Sequence, residues 1–245
     1  MLIQSCRGVR FILFASVAAT AILTSTGSAL AVCAPVAGND VTAVCTGVTT
    51  DQNAPNGYGN GTETNLNVIV APGASLTSTS DIGIALASGT VDNAGAISAN
   101  GLGGAGVFAT AALAVTNSGT ITANAGFGIF ADATTVTNSG TISSGTATIF
   151  GSTSATVINS GTISVIGSTG NAIGGGSAMV NNSGTITAIG DFATAVAGGT
   201  ALITNSGTIS ASGLLSSAVG GLTVTVNNSG TISTSGPGEI GRAHV

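Results

Sequence analysis

Val115-Thr116-Asn117-Ser118-Gly119-Thr120-Ile121-Thr122 returns 21 residues later as Val136-Thr137-Asn138-Ser139-Gly140-Thr141-Ile142-Ser143. Its centre, Asn-Ser-Gly-Thr-Ile, begins again at Asn159, Asn182, Asn205 and Asn228, and a degenerate Asn-Ala-Gly-Ala-Ile begins at Asn93. Successive asparagines lie 24, 21, 21, 23, 23 and 23 residues apart. A fixed period of this size marks a repeat architecture in which each unit stacks on the last. It is too short for a strand–helix–strand unit, which takes about 30 residues.

Alignment on the asparagine exposes three apolar columns. Two residues before it stand Val91, Val115, Val136, Val157, Val180, Ile203 and Val226. Four residues after it stand Ile97, Ile121, Ile142, Ile163, Ile186, Ile209 and Ile232. Nine residues before it stand Ile84, Phe108, Ile129, Phe150, Ile173, Val196 and Val219. Thr or Ser usually flanks the isoleucine on both sides, and side chains alternate across a strand. An inward Ile therefore sends both hydroxyls outward. One inward column per strand and three strands per coil predict an all-β, single-stranded parallel β-solenoid of about seven coils of 21–24 residues over 66–236.

The turn has its own expected mechanism. Gly tolerates a positive φ at a corner, and Asn side chains bond locally to backbone. Stacked about 4.8 Å apart, Asn93, Asn117, Asn138, Asn159, Asn182, Asn205 and Asn228 are expected to bond to one another in a ladder. Counted from the asparagine, the slack between coils falls after the isoleucine column: eight residues from Ile121 to Ile129, ten from Ile163 to Ile173, eleven from Ile97 to Phe108. That corner, with segments such as Ala99 to Gly106 and Gly167 to Asn171, is the first place to look for selective binding.

Composition agrees with this fold and excludes much else. Gly numbers 39, charged residues are 4% and aromatic residues 3%, leaving small and β-branched residues that suit short strands and tight turns. The basic residues are Arg7, Arg10 and Arg242, so 32–238 holds no Lys, Arg or His. Phosphate neutralisation needs such residues, which excludes nucleic acid as a partner of that region.

Arg7 and Arg10 precede the apolar run Phe11 to Leu23, and Ala29-Leu30-Ala31 supplies an A-x-A site. This reads as a Sec-type signal peptide over 1–31, cleaved after Ala31. In an oxidising compartment the pair Cys33 and Cys45 is expected to form a disulfide. Residues 32–65 read as a leader or cap, and Leu66 to Leu76 as an irregular capping coil. The last stretch, 237–245, reads as a non-native or truncated tail. Glu239 to Val245 departs from the preceding composition, and one set of codons for it resembles read-through into a sequencing adapter.

Asn-Ser-Gly-Thr-Ile repeats at this spacing behind a Sec signal resemble the passenger regions of bacterial autotransporters, the type V secretion proteins. The resemblance covers about Leu66 to Gly236. It implies a right-handed β-helix exported to the outer-membrane surface or the extracellular space. It also implies a C-terminal β-barrel translocator as partner, which is missing after Gly236, and a structural or adhesive role against a host or neighbouring cell.

Catalysis has little to work with. Nucleophilic triads need a base beside the serine. Asp81, Asp132 and Asp191 fall at different positions of different coils, so no carboxylate pair or metal cluster is expected. No cofactor is expected either. A solenoid enzyme acting on polysaccharide would need its active residues elsewhere. The outward Thr/Ser files also resemble the faces of ice-binding solenoids, although Ser143, Ser164, Ser210 and Ser233 interrupt the threonine file.

Overall fold

Each repeat lays down three stretches of strand, and each stretch pairs in parallel with its counterpart one coil away. The first ends at the asparagine: Gly89–Asn93 pairs with Ala112–Asn117, which pairs with residues 133–138 of Thr120–Asn138. The second begins just past it, and Thr141–Ser144, Thr162–Ile166, Thr185–Ile189, Thr208–Ser212 and Thr231–Ser235 stack in register. The third carries Ile84, Val107, Ile129, Ile149, Ile173, Val196 and Val219, one above another. The computed structural model describes residues 32–237. Over those residues the chain is a parallel β-solenoid of about eight turns with no helix. The expected signal peptide over 1–31, its expected cleavage after Ala31 and residues 238–245 lie outside the described residues.

Burial follows the alternation. Ile121, Ile142, Ile163, Ile186 and Ile209 are wholly buried, as are Val136 and Ile203. Full burial of one such side chain contributes about 1.5–3 kcal/mol, and a single coil has too few of them to stand alone. Neighbouring coils must supply the remainder through shared ladders and packing.

The third column differs from the simple count. Its inward residues in two coils are Val107 and Ile149, while Phe108 and Phe150 face outward and pair with Phe130. The reason is one extra residue at the corner between the third and first stretches. Ala131 aligns with Gly151, but Ala133 aligns with Ser154, so one residue on one coil opposes two on the next. Insertions therefore occur at two corners rather than one.

The corner glycines also act differently from the expectation. Those of the Asn-Ser-Gly motif are not among the glycines with positive φ. Their role is clearance. A Cβ on Gly140 would overlap the carbonyl oxygen of Gly119, and one on Gly161 that of Gly140. The backbone amides explain the close approach: Ser139 N–H and Gly140 N–H both donate to the Asn117 carbonyl, at 2.8 and 3.1 Å.

Regular stacking begins upstream of Leu66. Thr42–Cys45 pairs in parallel with Leu66–Val70, and Val48–Thr50 with Ser75–Ser78, so the segment 32–65 contributes strands of its own. Cys33–Ala34 then folds back antiparallel on Thr42–Cys45. Cys33 and Cys45 form a disulfide, and the Gln52 side chain bonds both the N–H and the carbonyl of Cys33 at 2.8 Å. Below them Tyr58 is fully buried and its hydroxyl donates to the Pro35 carbonyl at 2.7 Å. Glu63, also buried, accepts backbone N–H bonds from Asn60, Gly61 and Thr62.

Burial, with the Glu63 charge adding to it, pushes the Tyr58 hydroxyl up to about 12. An unfolded tyrosine titrates near pH 10, so the folded value is the raised one. Stability from this group is complete below about pH 10 and is lost as pH climbs toward about 12. Tyr58 is the single tyrosine and there is no Trp, so absorbance at the phenolate band should show one transition with a midpoint near 12. A midpoint near 10 in the folded protein would place Tyr58 in solvent. In a second test, Gly140→Ala should cost about 3 kcal/mol or more through overpacking. Gly61→Ala, where no atom lies within 4 Å of the new Cβ, should cost only the roughly 1–2 kcal/mol of its left-handed φ. Thermal unfolding followed by circular dichroism separates the two.

Candidate functional site

The asparagines form one continuous ladder. Nδ2 of Asn93 donates to Oδ1 of Asn117 at 2.7 Å, and the same bond joins Asn117 to Asn138, Asn138 to Asn159, Asn159 to Asn182, Asn182 to Asn205 and Asn205 to Asn228, at 2.7–2.8 Å. Asn159 Nδ2 also lies 3.2 Å from the Gly161 carbonyl and 3.3 Å from that of Thr185. All but Asn228 are buried. Buried amides need such partners, because each one left unpaired costs about 1–3 kcal/mol. Above Asn93 the same register holds Val70 and then Cys45, so the disulfide sits at the head of the column. The ladder is structural: every polar atom in it is engaged with its neighbours.

The hydroxyl files beside the isoleucines also bond sideways in places. Ser143 donates to Thr122 at 3.4 Å, Ser98 to Thr77 at 3.3 Å, and Thr187 and Ser210 share a bond at 3.3 Å. Some of the hydroxyls that an ice-like lattice would use are thus turned toward one another.

The variable corner is the chemically open part of the surface. Three successive coils make the same turn there, with Thr169, Phe192 and Leu215 each at a φ of 53–63°. That region costs a non-glycine residue of order 1 kcal/mol, yet these turns place bulky side chains in it. Phe192 and Leu215 are about half exposed, Ile166 is 65% exposed and, in the longest insertion, Leu102 is 95% exposed. The turns are held from coil to coil: Thr169 N–H donates to the Asp191 carbonyl at 2.7 Å, and Leu214 N–H to the Asp191 carboxylate at 2.9 Å.

Beside this corner, on the third stretch, lies an aromatic cluster. Phe108 stacks on Phe130 with centroids 5.5 Å apart, and Phe130 on Phe150 at 5.8 Å. Phe127 meets Phe130 edge-on at 5.0 Å. Each such pair adds about 0.5–1.5 kcal/mol beyond area burial. The stack is bounded by small residues, Ala85 opposite Phe108 and Gly174 opposite Phe150. Against its upper end a cleft of about 190 Å³ is lined by Phe108, Phe127, Phe130, Ile82, Ala105 and Asp81, with Gly103 of the long insertion. Sequence reading missed this site by turning two of the rings inward. Phe108, Phe130 and Phe150 recur at close to one coil's spacing, with Phe127 three residues before the second, and that was the available signal.

The acids stay apart. Asp81 lines the cleft, Asp132 accepts from Ser152 Oγ at 2.6 Å, and Asp191 belongs to the turn described above. Asp51 is held below the usual carboxylate range, chiefly by the Thr79 hydroxyl and then by the Thr79 N–H. Among the described residues no group of three His, Cys, Asp or Glu is placed to hold a metal ion. Comparison with protein families, curated proteins and solved structures finds no match to this chain.

Asn159→Val should cost about 2–4 kcal/mol, because it leaves the buried Asn182 Oδ1 without its donor and takes one acceptor from Asn138. Asn228→Val, at the exposed last rung, should cost under about 1 kcal/mol. At roughly 2–4 °C per kcal/mol for a chain of this size, melting curves resolve the difference. Equal losses for the two would mean that the interior rungs are not bonded.

Proposed function

We propose that this chain is the rod-forming passenger of an autotransporter, exported by Sec and displayed at the outer-membrane surface or released from it. Its role is structural or adhesive rather than catalytic. The observation that carries the reading is the long parallel solenoid, without a basic residue from 32 to 238, that follows a Sec-type N-terminus. Such a rod needs only stacking to fold, and repeat architectures of this kind can propagate coil by coil. The absence of Lys, Arg and His from 32–238 supports a surface that does not engage nucleic acid. The apolar residues presented at the variable corner, Leu102, Ile166, Phe192 and Leu215, support contact with another macromolecule. A C-terminal membrane barrel, encoded downstream, would be the translocator partner, and a host or neighbouring cell the surface met.

The reading is tested with the genomic reading frame, extended past Gly236 and expressed in a Gram-negative host. An epitope inserted after Leu102 should be labelled by antibody on intact cells, and the extended frame should end in alternating membrane strands. An epitope reached only after lysis, in a frame that encodes no barrel, would overturn it.

A further inference from the structure

We propose that the cleft beside the phenylalanine stack binds an organic ammonium ion, a quaternary or methylated amine. Phe108 and Phe130 are nearly parallel, with 7° between their planes, while Phe127 stands at 66° to Phe130. Phe130 is covered on one side by Phe108 and on the other by Phe150, so the outer face of Phe108 and the inclined ring of Phe127 are what the opening offers a rounded cation. The face of an aromatic ring carries partial negative charge and attracts a cation within about 6 Å. Ala85, opposite Phe108, leaves the space above that ring free of a fourth one.

Asp81 supplies the second element. Its own N–H is bonded to Ser78 Oγ at 2.9 Å, which fixes the residue, and Gly104 packs so tightly on its carbonyl that a Cβ there would overlap it. The carboxylate itself accepts no hydrogen bond among the described residues. Asp40, Asp51, Glu63, Asp132 and Asp191 all accept one, and Asp92, the other acid that does not, is not part of the cleft. The described residues include no Lys, Arg or His, so none of them carries a cation to neutralise Asp81. An ionised carboxylate is an acceptor only, and Asp81 is the one residue with a polar side chain among those lining the cleft.

Those two facts select the ligand class. A sugar would need several donors and acceptors, and the cleft offers one acceptor side chain. An anion would meet the Asp81 charge with nothing to offset it. A divalent metal needs more oxygen ligands than one carboxylate. An alkylated ammonium brings positive charge for Asp81 and the ring faces, together with methyl groups for Ile82 and Ala105. The inference does not depend on surface display, so failure of either leaves the other standing.

Choline chloride and its uncharged isostere 3,3-dimethylbutan-1-ol are titrated against the whole chain by calorimetry or ligand-observed NMR. Choline should bind saturably and at least about fivefold more tightly than the isostere, a difference of about 1 kcal/mol. Asp81→Asn should narrow that preference while leaving isostere binding unchanged, and Asp132→Asn should change neither. Phe127→Leu, which keeps apolar volume but removes a ring, should weaken choline more than the isostere. Equal affinity for both ligands, choline binding unaltered by Asp81→Asn, or no saturable choline binding would each overturn the proposal. Circular dichroism of each variant excludes loss of fold as the cause.

Discussion

The close seating of one Asn-Ser-Gly corner on the next is the constraint from which the remainder of the molecule follows. At that corner the serine and glycine amides reach the same carbonyl of the coil before. The glycine has no room for a side chain, and the asparagine amides bond in line at 2.7–2.8 Å. With three groups tied at one point, the coils cannot slip in register. A slip of one residue in a strand would turn every inward Val and Ile outward. The corner therefore fixes the core as much as the core fixes the corner.

Because one corner is pinned, length variation is pushed elsewhere. Most of it gathers after the isoleucine column, where the loops are exposed and three turns carry non-glycine residues at positive φ. A smaller share appears between the third and first stretches, where one coil spends two residues against one on its neighbour. The chemistry that is not structural sits next to this slack: the exposed apolar side chains, the aromatic stack and Asp81. Rigid repeats set the positions, and irregular residues between them furnish the surface that can differ from coil to coil. This is the usual division of labour between scaffold and loop.

Much of the fold was legible because each rule was written many times over. The asparagine spacing, the Val/Ile column before it and the Ile column after it each recur without a break, and a period of two sets which side faces in. The third column was less legible. Val107-Phe108 and Ile149-Phe150 are adjacent apolar pairs, and either member could face inward on pattern alone. Only the ladder register shows that the aliphatic residue enters the core and the ring stays out. The glycines posed the same difficulty, since the sequence does not distinguish a need for φ from a need for space. The first coils were obscure because Val70 and Cys45 replace asparagine at the ladder position. The phenylalanine spacing pointed to the stack but not to its acid: Asp81 reaches the cleft from a coil two turns from Phe130, a proximity created only by stacking.

Exchange of the asparagine side-chain amides, followed by NMR after transfer to D₂O, probes the seated corner most directly. The account predicts that the Nδ2 protons of Asn117, Asn138, Asn159, Asn182 and Asn205 persist long after those of the exposed Asn100 and Asn124 have gone. Loss of both groups at the same rate would contradict it.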